Sequence, residues 1–117
     1  MIRRELLAVV GALVLSACSK QPPDIGRDLP ITFGYTPAFT QRLNQRFPVG
    51  SEEQQLVTEL RNERFTIKPS YDPSSHYQFS ALYEVSDIVC RDEWTIQWAA
   101  DQGKITAITG LNRRICL

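Results

Sequence analysis

The chain has 117 residues, with 13 Lys plus Arg against 13 Asp plus Glu, one histidine and three cysteines. That length supports one domain and is too short for two comfortable cores. The balanced charge excludes capture of nucleic acid or anionic lipid by bulk electrostatics, so the pairs Arg61/Arg64 and Arg113/Arg114 read as solvated faces rather than phosphate sites.

The first residues set the compartment. Arg3 and Arg4 precede an unbroken apolar run from Leu6 to Leu15, which closes on Ser16, Ala17 and Cys18. Ten apolar residues are about half of what a membrane-spanning helix needs, but they suit the hydrophobic region of an export signal. The ending Leu15-Ser16-Ala17-Cys18 resembles the lipobox of bacterial lipoprotein signals. The resemblance implies that residues 1–17 are a signal peptide and that Cys18 carries a diacylglycerol thioether and an acylated amino group. Several acyl chains, palmitate among them, hold firmly where one binds reversibly. Ser19 is not the aspartate that commonly retains such proteins at the inner membrane. The implied location is therefore the periplasmic face of the bacterial outer membrane, with membrane lipid as the first partner through Cys18.

Residues 18–30 hold three prolines among charged residues and read as a flexible tether, leaving 31–117 as a single domain. Ile31 to Tyr35 suits a short edge strand. Thr36-Pro37 reads as a cap followed by proline at the first helical position. Phe39, Leu43 and Phe47 then form one stripe, and Pro48-Val49-Gly50 ends that helix. Ser51 with Gln54 predicts a capping box for a second helix, buried through Leu56, Val57 and Leu60 and closed by Phe65.

From here the period changes to two. Lys68 to His76 is a polar loop, and Tyr77, Phe79, Ala81, Tyr83 and Val85 alternate as a strand, followed by Trp94, Ile96 and Trp98 as the next. Aromatics at this spacing are more often core than ligand platform. Asp101-Gln102-Gly103 predicts a hairpin turn and Lys104 to Thr109 the returning strand, after which Cys116 comes back toward Cys90. Two cysteines in an exported small domain read as a disulfide. A metal pair is the weaker option, because two thiolates with no convergent histidine leave zinc short of ligands. The expected fold class is α+β: two short N-terminal helices packed on a three- to four-stranded antiparallel sheet.

Gly50-Ser51 before the helix, a tryptophan-bearing strand at Trp94 or Trp98, and the turn leading into Gly103-Lys104-Ile105 give the chain a family resemblance. Over roughly residues 36–110 it resembles the SmpA/OmlA (BamE-like) small lipoproteins, which share an architecture with beta-lactamase inhibitor protein. The resemblance implies a protein-binding role in envelope assembly or maintenance. An inhibitor or immunity lipoprotein that neutralises a periplasmic toxin or hydrolase is the alternative. Tyr71 and His76, in the loop before the first long strand, are the candidate partner-binding residues; the bland reading is that this loop only connects helix to sheet.

No enzyme is expected. His76 sits in a loop with Asp72, Ser74 and Ser75, where sequence neighbours cannot hold the spaced geometry of a triad. Asp92 and Glu93 are adjacent on a strand and point to opposite faces. Phosphate-loop, dinucleotide, calcium and zinc signatures are not found, so no cofactor is expected.

Overall fold

The computed structural model describes residues 21–29, 33–35, 37–70 and 75–117. The elements run β1 (Phe33–Tyr35), α1 (Pro37–Arg46), α2 (Glu53–Asn62), β2 (Thr66–Pro69), β3 (Phe79–Ser86), β4 (Cys90–Asp101) and β5 (Lys104–Cys116). The strands form one antiparallel sheet in the order β1-β5-β4-β3-β2. The fold is α+β, with both helices on one face of the sheet. The two outermost strands are short, which limits the free edge each end presents.

Apolar periodicity explains the core. The i, i+4 stripe buries Phe39 and Leu43 on α1 and Phe47 just past its end, and on α2 Leu56 and Leu60 are fully buried. On β4 the period of two sends Trp94, Ile96 and Trp98 to the same inner face, where all three are buried. Phe39 meets Trp94 edge-on at 5.4 Å, and Phe79 stacks on Trp98 at 5.7 Å. The Trp98 indole donates to Glu53 Oε2 at 2.8 Å, so this buried ring keeps its N–H satisfied. Gly110 admits α1: a Cβ there would lie 2.5 Å from Phe39 Cδ2 and 2.7 Å from Leu43 Cδ1. Beside it, Thr40 and Asn44 of α1 bond the Gly110 and Ile108 carbonyls, covering β5 where β1 does not reach.

The expected capping box does not form. α2 begins at Glu53, with Glu52 at the cap and no side-chain cap bond, while the Ser51 hydroxyl donates to the Pro48 carbonyl. The reason is that the chain before α2 pairs with β5. Gly50 N–H donates to Ile105 O at 2.8 Å and Ile105 N–H to Ser51 O at 2.9 Å, holding Ser51 in an extended ladder rather than at a helix cap. The Thr36 cap expected for α1 lies outside the described residues.

The tether expectation is corrected for residues 21–29. Asp24–Gly26 form a 3-10 turn whose Ile25 is 1% exposed. Gly26 passes so close to Trp94 that a Cβ would sit 2.4 Å from its ring. Ile25 N–H donates to Glu63 Oε1, and Arg42 donates to the carbonyls of Ile25 and Arg27. One isoleucine covering the end of the core is enough to dock this stretch.

β2 is not among the expected strands: Thr66 and Ile67 follow Phe65, the expected close of the second helix, and Lys68 and Pro69 open the expected polar loop. Ile67 packs against the core, and Pro69 is tolerated at the end of an edge strand. β5 runs on to Cys116, well past Thr109, because polar cross-strand pairs extend the ladder where apolar alternation stops.

Candidate functional site

The site residues expected from sequence are not brought together. Cys18 and Tyr71 lie outside the described residues. His76 is exposed just before β3, near Gln78, whose N–H donates to Trp98 O. The nearby Ser75 hydroxyl accepts from the Tyr77 N–H at 3.0 Å. Cys90 and Cys116 stand at the other end of β3 and β4, directly opposite in the ladder with Cα atoms 4.0 Å apart, and they are joined by a disulfide. Leu117 N–H donates to Val89 O, which places the cystine at the close, non-hydrogen-bonded position of the antiparallel pair.

The adjacent carboxylates of β4 diverge as strand geometry requires. Asp92 takes a two-pronged contact from Arg114, at 2.7 and 3.0 Å. This contact, together with the Asp92 charge, raises the Arg114 guanidinium further above its already high value. On the opposite face, Glu93 accepts from Arg113 at 2.8 Å and lies 3.1 Å from Arg91, which also approaches Glu84. The Arg113 hydrogen bond is the main cause holding the Glu93 carboxyl below the usual carboxylate value; burial opposes it, and the Arg113 and Arg91 charges reinforce it. These are cross-strand ion pairs, with both carboxylates occupied by arginines. Among the described residues no group of three or more His, Cys, Asp or Glu side chains converges as metal ligands would. Nor is any helix among them long and apolar enough to cross a membrane.

Two surfaces remain. The first is the outer face of the sheet, opposite the helices. Leu82, Thr95 and Leu111 stand in one cross-strand row, with Ser80, Gln97 and Thr109 in the next. All six are half-buried, Thr109 with its hydroxyl 3.2 Å from that of Thr40 on α1, which gives a mixed aliphatic and hydroxyl surface. The ion cluster around Glu93 borders this surface on the side of the disulfide.

The second surface is the turn between β3 and β4. Asp87 Oδ1 accepts from Val89 N–H at 2.8 Å and Cys90 N–H at 2.7 Å, and Asp87 N–H donates to Cys90 O. This tight turn sets Ile88 and Val89 at its apex, 89% and 56% exposed. Sequence reasoning missed both residues. Their signal is the stretch Ser86-Asp87-Ile88-Val89-Cys90, in which two adjacent aliphatics break the strand alternation right after a turn-forming aspartate.

No family model, curated protein or solved structure matches this chain.

Proposed function

We propose that the protein is a lipid-anchored periplasmic lipoprotein that acts by binding another protein, in the manner its resemblance to the SmpA/OmlA (BamE-like) lipoproteins implies. Cys18 is the anchor and the periplasmic face of the outer membrane is the location. The Cys90–Cys116 disulfide supports an oxidising compartment, since such cross-links persist outside the cytosol. The observation that carries the binding role is the outer face of the sheet. An antiparallel sheet covered on one side is stable with its second face in water. Here that face offers Leu82, Thr95 and Leu111 in a row, between hydroxyls on one side and paired charges on the other. This is the mixture of apolar centre and polar rim that protein interfaces use.

The test is a photo-crosslinking residue placed at Thr95 and, separately, at exposed Gln54 on α2, in the full-length protein within intact envelopes. The expected result is a discrete adduct from position 95 only, lost when Leu82→Asp is added. Adducts no stronger at 95 than at 54 would sink the reading. An envelope-assembly protein in the adduct assigns the scaffold role; a toxin or hydrolase assigns the inhibitor role instead.

A further inference from the structure

Ile88, Val89, Ile115 and Leu117 converge around the cystine at one end of the sheet, and each is exposed; Ile88 at 89% and Leu117 at full exposure are the extremes. Nothing in the core lies beneath them, because the inner-face aromatics end at Trp94. A tip of four aliphatics held out by an Asp87-capped turn on one strand pair and a disulfide on the other is a built feature, since both devices fix it in the exposed position.

The start of the described chain says what faces this tip. The Tyr83 hydroxyl donates to the Gln21 carbonyl at 3.2 Å, which fixes where Gln21, the first described residue, sits on the domain. Tyr83 is four residues from Asp87 along β3, or about 13 Å at strand rise. Its partner Trp94 is seven residues from Asp101, so the hairpin end of the sheet is about 23 Å away in the opposite direction. Only three virtual bonds join Cys18 to Gln21, and they span at most about 11 Å. An acyl chain at Cys18 therefore holds Gln21 close to the bilayer, and of the two ends of the sheet the aliphatic tip is the one within reach.

We infer that this tip is a second membrane contact: Ile88, Val89, Ile115 and Leu117 enter the interfacial region of the bilayer that carries the acyl anchor, and orient the domain with its sheet upright. The inference rests on the lipid-anchor reading of Cys18. The charges that flank the tip on β4 and β5 are paired as Asp92–Arg114, Glu93–Arg113 and Arg91–Glu93, and the Asp87 carboxylate in the turn is bonded to the Val89 and Cys90 N–H groups, so the four side chains that enter are apolar and the contact does not depend on anionic lipid.

The experiment uses the full-length protein, lipidated in cells, purified and reconstituted into phosphatidylcholine vesicles with and without bromine on the acyl chains. Tryptophan is placed at the tip as I88W and at the far end as V49W; Val49 is 65% exposed in the turn beside Ile105, and the native tryptophans are buried and common to both. Interfacial apolar side chains sit roughly 5–10 Å into the headgroup and acyl boundary. The added emission of I88W should therefore shift to the blue and lose about half its intensity or more on brominated lipid. That of V49W should stay unchanged. Protein that floats with the vesicles but shows equal, weak quenching at both positions overturns the tip contact and leaves the anchor standing. Protein that does not float, with an unmodified Cys18 by mass, overturns the anchor and the tip contact with it. A blue shift of I88W in lipid-free detergent solution that grows with protein concentration assigns the tip to a second copy of the chain and overturns the membrane contact.

Discussion

The two ends of the sheet are held by different means. At the hairpin end, Gln102 and Gly103 both take positive φ, at 52° and 79°, and link β4 to β5 in a two-residue turn. The segment before α2 hydrogen-bonds onto this hairpin through Gly50, Ser51 and Glu53, and Lys104 pairs with Glu52. Backbone bonds and a polar rim suffice there. At the other end the strands outrun the core, and what holds them is a disulfide, two cross-strand ion pairs reinforced by Arg91 beside Glu93 on β4, and a capped turn. One end is finished by local hydrogen bonding. The other is stapled and left apolar, which is what a surface needs if it must stay exposed until something covers it.

Cutting the staple is the strongest way to break this contrast. The disulfide separates its ends by 26 residues, and removing a loop closure of that size with Cys90→Ser plus Cys116→Ser costs about 3 kcal/mol on the chain-entropy model. The urea midpoint should fall accordingly. Amide exchange should speed up over residues 86–92 and 112–116 and stay slow over 99–107. Equal acceleration at both ends would mean that the two ends share one cooperative unit and that the contrast is only geometric.

The ion cluster gives a smaller and pH-dependent effect. Glu93 is nearly buried and its carboxyl is held low, chiefly by the Arg113 hydrogen bond. The native protein therefore binds fewer protons at this site than the unfolded chain does. Its contribution is complete above the unfolded carboxylate value, about 4.3, and is lost as the pH falls through the lower folded one. Glu93→Gln should cost about 1–2 kcal/mol at neutral pH, with half-exposed arginines as partners keeping it modest. The gap to the parent protein should close as the medium is acidified into the carboxylate range. A gap that persists unchanged in acid would show that packing, not charge, holds this end together.

The parts of the molecule that were legible in the sequence are those in which apolar spacing and burial coincide. Phe39, Leu43 and Phe47 announced α1, and Trp94, Ile96 and Trp98 announced β4, because each set occupies one face of a regular element. The cysteine pairing was legible for another reason: only two thiols remained to meet. What escaped lacks a repeat. A lone Ile25 in a proline-rich stretch gives no period, yet it docks residues 21–29 on Trp94 and Glu63. The sequence Asn112-Arg113-Arg114 looks like a polar tail until the ladder sets it against Glu93 and Asp92. The capping box at Ser51 matched a local rule that a tertiary strand pairing overrode. Attention to His76 also pointed to the far end of β3 from the exposed aliphatics, since a polar loop draws notice where two adjacent apolar residues at a turn do not.

The smallest effects belong to the hairpin end, where the backbone does the holding. Gly103 has φ +79 and open space around the position of a Cβ, so Gly103→Ala introduces strain without any clash and should cost about 1 kcal/mol. Gln102, at φ 52, already carries such strain with a side chain, and asparagine is the residue that two-residue hairpins favour at that position. Gln102→Asn should therefore stabilise the protein by a few tenths of a kcal/mol, read as a small rise in the urea midpoint. Neither change should alter exchange around Cys90 and Cys116, nor the quenching of I88W on brominated vesicles, because the two ends are joined only through β4, β5 and the core between them. If Gly103→Ala loosened the stapled end as much as its own, the hairpin would be setting the register of the whole β4–β5 ladder, and the disulfide would be fastening a pairing already decided at the opposite end of the sheet.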